Sequence, residues 1–318
     1  MKYSGIGGQA VIEGIMMMKG EDYAVAVRRP DKEIEVKKDT YQSITKKAKI
    51  LQLPFVRGVF RFADSMIIGM RSLTYSASFF FFYEDAEPGK FEQFLDRVFG
   101  EKLESAIMAA VLVISFILAI GIFMLLPLGI ANLFKGVITS DHLMAVLEGV
   151  IRIAIFIIYI KLVSRMEDIR RTFMYHGAEH KCINCVEHGH PLTVKYVRES
   201  SKEHKRCGTS FILIVMVISI LMFMVIRVDT IWMRILSRII LVPVIAGISY
   251  EVLQCAGRSN SKFMDLVSRP GMWMQGLTTK EPDDSMIEVA IAATEAVFDW
   301  REYLTENFPG WEKQLEES

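Results

Sequence analysis

The chain has 318 residues, with 37 basic and 37 acidic side chains and a formal net charge of zero. That balance gives no general attraction for nucleic acid, while 52% hydrophobic residues and a mean hydropathy of +0.30 point toward a membrane. From the N-terminus, Gly5–Met18 is a glycine-punctuated apolar run. Its glycines match neither a phosphate loop nor a dinucleotide fingerprint, so a tight start to a strand is expected. Glu13 stands alone in this run; it either points outward from a half-buried strand or supplies a carboxylate to a site. Ala24–Arg28 and Glu33–Lys37 flank Arg29-Pro30-Asp31-Lys32 and predict a hairpin. After Ser43–Arg57, Phe60–Tyr83 is apolar and aromatic but interrupted by Arg61, Asp64 and Arg71. It predicts an interfacial or re-entrant helix rather than a fifth span. Glu84–Lys90 then makes an acidic break.

Four apolar blocks follow. Ala106–Leu126 and Ser210–Ile226 carry no charge, and the first is long enough for about 30 Å of hydrocarbon. Leu143–Val163 contains Glu148, Arg152 and Lys161, and Ile231–Leu253 contains Arg234, Arg238 and Glu251. These two could also be helices of a soluble core, but such charges are tolerated near span ends and inside bundles. Basic residues crowd the segment before the first span and the loop Ser164–Thr209, whereas Pro127–His142 holds only Lys135. Positive-inside bias therefore predicts a multi-pass protein of the cell inner (plasma) membrane with both termini cytoplasmic. Met1–Glu13 has no leader pattern. Cys182, Cys185, Cys207 and Cys255 are expected as free thiols or ligands, not disulfides. The fold class is mainly α: about four transmembrane helices and a small α+β cytoplasmic domain. Residues 1–103 form its N-terminal segment with the hairpin and interfacial helix, 104–253 the membrane region with the loop 164–209, and 254–318 the C-terminal segment.

The central loop contains His176-Gly177-Ala178-Glu179-His180, a His-x-x-Glu-His order in which helical spacing places both imidazoles on one face with a carboxylate beside them. His204 and Cys207 follow just before an apolar block, which returns them to the same surface. His176, His180, His204 and Cys207 make a chemically good zinc tetrahedron. Four ligands would close the site. If His204 or Cys207 is not a ligand, a position opens for water and Glu179 becomes a base. Glu251 is a rival ligand, or else the partner of a membrane-embedded arginine such as Arg152 or Arg238. Cys182 and Cys185, with His188 and His190 behind them, rank lower because the C-x-x-C has no partner pair. Toward the C-terminus, Arg269-Pro270-Gly271 predicts a turn, and Leu277-Thr278-Thr279-Lys280-Glu281-Pro282 leads into an amphipathic helix around Asp283–Trp300.

Taken with these motifs, Gly7-Gly8-Gln9-Ala10-Val11-Ile12-Glu13-Gly14 and Arg206-Cys207-Gly208-Thr209-Ser210-Phe211 make the chain similar to the YqhQ-like family of uncharacterised bacterial membrane proteins, domain of unknown function family 1385. The likeness runs from Met1 to about Arg301. It implies a membrane protein described as a predicted metal-dependent enzyme, without a reaction. Members usually show His-Pro-Arg-Cys where this chain has His204-Lys205-Arg206-Cys207, which keeps both ligand candidates. Two functions follow from the residues. One is a zinc-dependent, hydrolytic enzyme acting on a lipid-linked or membrane-proximal substrate, with Glu179 as base. The other is a membrane assembly factor or transporter component stapled by structural zinc. The expected partners are the bilayer and anionic headgroups at the basic loops, which account for the loop charge without nucleic acid; a homo-oligomer is admissible.

Overall fold

The structure, a computed structural model, describes residues 2–80, 103–226, 230–258 and 261–316. Its elements in chain order are β1 (Ile6–Val11), β2 (Gly14–Lys19), β3 (Asp22–Arg28), β4 (Ile34–Thr40), α1 (Val56–Ala77), α2 (Leu103–Ile120) and α3 (Leu126–Asn132). They continue with α4 (Asp141–Val163), α5 (Glu167–Glu187), α6 (Val194–Glu199), α7 (Gly208–Val225), α8 (Ile231–Arg258), α9 (Lys262–Thr278), α10 (Asp284–Val297), α11 (Trp300–Asn307) and α12 (Lys313–Glu316). Four helical stretches are long and apolar enough to cross a membrane: Ala110–Asn132, Asp141–Val163, Gly208–Val225 and Ile235–Gly257. The protein is thus mainly α and polytopic, with a small sheet at its N-terminus, and its apolar helices imply contact with lipid.

Contacts divide the chain into two compact units. The first gathers Met1–Phe80, Ile160–Ser219 and Arg227–Ser318. Its sheet is an antiparallel meander in the order β1-β2-β3-β4. Both sheet faces are covered, and the period-two alternation sorts the side chains between them. Ile15, Met17 and Ala26 join a core built with Tyr175, Cys182 and Ile183 of α5 and Met286 and Ile287 of α10. Met16, Val25 and Val27 face the other way and pack with Ile68 of α1. β4 forms an edge whose exposed lysines discourage further strand pairing.

The Gly5–Met18 run is a hairpin rather than one strand. Val11 pairs with Gly14, so Glu13 sits in the two-residue turn with φ 48°. Glu13 is therefore not an outward-pointing residue of a half-buried strand. Its carboxylate takes a two-point ion pair from Arg171 of α5 at 2.5 and 2.6 Å, which holds it in a left-handed conformation that favours glycine.

Helix α1 explains why an apolar segment carries Asp64. That carboxylate is buried and accepts from Tyr41 Oη at 2.9 Å, Ser43 Oγ at 2.5 Å and Ile44 N at 3.0 Å, so it anchors the chain entering the helix. Gly58 and Gly247 let α1 cross α8 closely; a Cβ on Gly247 would stand 2.3 Å from Phe55 O. Phe62, Met66, Met70 and Leu73 form an exposed stripe at helical spacing. The expected continuation Phe81–Tyr83 and the break Glu84–Lys90 lie outside the described residues.

One expectation about the C-terminal segment is corrected. Arg269-Pro270-Gly271 is not a turn: α9 runs through Pro270. Gly271 instead admits Ser210, whose Oγ would lie 2.6 Å from a Cβ there. The helix expected around Asp283–Trp300 is present as α10, and α11 begins at Trp300. Asp283 caps α10 by accepting from Met286 N at 3.0 Å, and Asp299 caps α11.

The second unit comprises Phe81–Tyr159 and Ile220–Ile226. Here α2 leads into α3 through a π-helical turn at Gly121–Leu125. Such a turn disturbs the regular backbone ladder, and Arg152 Nε donates to Phe123 O at 3.0 Å. The same guanidinium pairs with Glu148 at 2.6 Å and lies over the Phe223 ring. Charges inside an apolar helix are therefore neutralised within their own unit. The side chain of Arg234 lies outside those described.

Candidate metal centre

Helix α5 places the site. From Tyr175 to Glu187 it is buried on every side except at His176, which is half-buried, because the sheet, α6 and α10 all pack against it. A buried helix must satisfy every polar side chain it carries. His180 Nδ1 meets Lys202 O at 2.7 Å, Lys181 Nζ donates to Arg198 O and Ser200 O, and Asn184 Nδ2 donates to Ser201 O and Glu203 O. These bonds draw residues 198–203 back along α5 and deliver Cys207 at the start of α7.

Three donor atoms converge there. The ligand atoms of His176, His180 and Cys207 all lie within 4.8 Å of one another. Cys207 Sγ stands 3.2 Å from His176 Nε2, and Thr209 N donates to that sulfur at 3.4 Å, an N–H at a helix N-terminus that suits a negative ligand. His176 Nδ1 lies 3.0 Å from Thr278 O. Carbonyl oxygens can only accept, so both imidazoles carry their proton on Nδ1 and turn the Nε2 lone pair toward the cluster. Backbone carbonyls fixing the tautomer in this way are a recurrent support of metal-binding histidine. The set of two imidazoles and a thiol fits zinc, with one tetrahedral position left over.

Glu179 lies beside the triad, its Oε2 3.8 Å from His176 Nε2 and 3.9 Å from His180 Nε2. Burial pushes its carboxyl above the ordinary range, against the pull of His176 and of the Gly8 N–H that donates to it. Gly8 is a glycine for this reason: a Cβ would meet Glu179 Cγ at 2.9 Å and Met16 O at 2.6 Å. A cavity of about 400 Å³ opens onto the cluster.

His204 shares that cavity but stands apart from the three converging atoms. Its Nε2 faces Glu187 at 3.5 Å, and the side chain of Gln275 engages both its backbone N–H and its carbonyl. Burial holds the His204 imidazole below its usual range. Burial alone would push Glu187 up, but His204, Arg206 and the N–H of Ser4 outweigh it and hold the carboxyl at about 2. Glu251 takes Arg57, at the start of α1, at 2.7 and 2.5 Å. Glu13 is occupied by Arg171. Cys182 and Cys185 point into the core, where burial raises both thiols, Cys185 to about 12. His188 and His190 bond Asn184 O and Gln314 Oε1.

Sequence reasoning passed over Glu187, Gln275, Gly8 and the carbonyl of Thr278. A signal existed for the first: His176, His180, Asn184 and Glu187 recur at helical spacing, a polar stripe on a helix otherwise rich in small and apolar residues.

A family model described as "Protein of unknown function (DUF1385)" matches residues 53–300. The chain belongs to this family. It is similar to the "Uncharacterized protein YqhQ" of Bacillus subtilis (strain 168), at 34% identity over 286 residues that cover 90% of this chain and 89% of the relative. No solved structure matches. The matched stretch contains the whole triad and Glu179 of this DUF1385 protein, but not β1, which carries Gly8.

Proposed function

We propose that this DUF1385 protein is a zinc-dependent hydrolase working at the cytoplasmic surface of the plasma membrane. His176, His180 and Cys207 would hold the ion, and Glu179 would act as general base. The observation that carries this reading is the convergence of three donors, and no fourth among the described residues, beside a carboxylate and a cavity. A closed structural site uses four protein ligands, whereas a catalytic one leaves a position free. When bound, zinc polarises the scissile carbonyl or phosphoryl group and increases the acidity of water. Glu179 would take a proton from the attacking water as its oxygen bonds to the scissile centre, and would return that proton to the leaving group as the scissile bond breaks.

Metal analysis of the detergent-purified protein tests the reading. The wild type should hold about one zinc equivalent, since the ligand atoms are already gathered by α5 and the start of α7. The double variant His176→Ala, His180→Ala keeps one donor and should hold almost none, while His142→Ala should match wild type. Stoichiometric zinc in the double variant would end the proposal.

The cytoplasmic placement rests on the basic residues of 164–209, which also suit anionic headgroups. His188 is exposed, so a His188→Cys variant reports its side of the membrane. A membrane-impermeant maleimide should label it only after the cells are opened. Labelling of intact cells would move the centre to the other face.

A further inference from the structure

The cavity beside the triad is not evenly polar. Its wall includes Phe62 and Met66 from α1 and Phe211 and Ile212 from α7, with the Phe62 and Phe211 rings stacked at 5.6 Å between centroids. Phe62 and Met66 of α1 and Ile212 of α7, a helix long enough to span a membrane, are also exposed. An apolar chain could therefore lie along this wall and continue into lipid. The polar end differs in sign from an ordinary carboxylate-lined metal pocket. Arg61 lines it and has no hydrogen-bond or ion-pair partner among the described residues. Arg206 lines it too; one of its terminal nitrogens pairs with Glu187 while Nη1 is buried without a hydrogen-bond partner. A buried guanidinium N–H left open favours an acceptor.

Two guanidinium groups thus line this end, Arg61 exposed and Arg206 with a buried open N–H, and a guanidinium fork matches phosphate oxygens. A volume of about 400 Å³ holds a headgroup and the start of a chain, not a folded partner.

We infer that the cavity takes a phosphodiester amphiphile, with its phosphoryl group between the triad and Arg61 and its tail against Phe62, Met66, Phe211 and Ile212. This rests on the zinc reading for setting the phosphoryl group beside the triad but not for the role of Arg61 or the apolar wall.

The test is equilibrium binding to the full-length protein in a nonionic detergent, with zinc content measured on the same sample. The probes are dihexanoyl phosphatidylglycerol, dihexanoylglycerol and inorganic phosphate. Phosphatidylglycerol should bind at least about tenfold more tightly than either of the others, since each lacks one half of the recognised chemistry. Arg61→Gln should lose about tenfold or more in affinity for phosphatidylglycerol with zinc content unchanged, and Arg61→Lys should recover part of it. Phe62→Ser should weaken the phospholipid and leave inorganic phosphate as it was. Equal binding of phosphatidylglycerol and dihexanoylglycerol would overturn the inference, as would an Arg61→Gln protein indistinguishable from wild type. Inorganic phosphate binding as tightly as the phospholipid would make the ligand a free anion and overturn it as well. Loss of the Arg61-dependent affinity differences in zinc-loaded protein refutes the ligand alone, whereas a wild type that takes up no zinc yet keeps those differences refutes the metal reading alone.

Discussion

Glu179→Gln is expected to hold zinc like the wild type and to lower turnover by about 10²–10⁴-fold, the usual cost of losing a general base. The substitution keeps the shape of the side chain, and its carbonyl oxygen can still accept the Gly8 N–H that now bonds the carboxylate. The carboxyl is buried between β1 and two imidazoles, so removing its charge relieves desolvation. Thermal stability in detergent should therefore hold or rise, which separates a chemical defect from an unfolded protein. Two measurements suffice: zinc content of the purified variant, and its ability to complement a strain lacking the native gene. Full complementation would favour structural zinc in an assembly factor or transporter component. Loss of zinc would make Glu179 a ligand or an essential support of one.

The membrane-spanning helices were legible because an uninterrupted apolar run of that length has few other uses, and the hairpin because turn residues separate two alternating strands. His176 and His180 were legible as neighbours for an equally local reason: positions four apart on a helix share a face. What escaped was set by chain segments far apart in sequence. Glu251 could be recognised as needing a cation, but its partner Arg57 lies 194 positions away, on a helix whose crossing angle no local pattern encodes. Glu13 looked like a strand residue because nothing in Val11-Ile12-Glu13-Gly14 announces that a two-residue turn will be stabilised by Arg171. Pro270 read as a stop, since proline lacks the N–H that continues a helix. Packing of Gly271 against Ser210 is a tertiary fact that overrode it. The position of His204 is of the same kind. Its spacing from Cys207 suits ligation, but a buried Glu187 and the side chain of Gln275 determine where its ring and backbone lie.

Gly177→Ala should be among the most damaging small substitutions in the protein, although helix propensity argues the other way. Alanine inside a helix is intrinsically favoured over glycine by about 1 kcal/mol. At position 177, however, the new methyl carbon would lie 2.0 Å from Lys280 O and 3.2 Å from Lys280 C, which are backbone atoms that cannot rotate aside. The segment 278–282 would have to lift from α5. Two bonds depend on its place: Lys280 N to Phe173 O at 2.9 Å, and His176 Nδ1 to Thr278 O at 3.0 Å. The first loss and the overpacking should cost about 1–3 kcal/mol net of propensity. The second frees the His176 ring to turn, and losing such a carbonyl support typically lowers metal affinity by about 10–100-fold. Gly276→Ala is the matched control, because it also lies in a helix and a Cβ there meets nothing within 4 Å. It should be neutral or slightly stabilising and keep its zinc. Thermal melting in detergent and a competition titration with a zinc chelator read both quantities. A Gly177→Ala protein that melts with wild type and holds zinc as tightly would show that the segment 278–282 does not set the His176 ring.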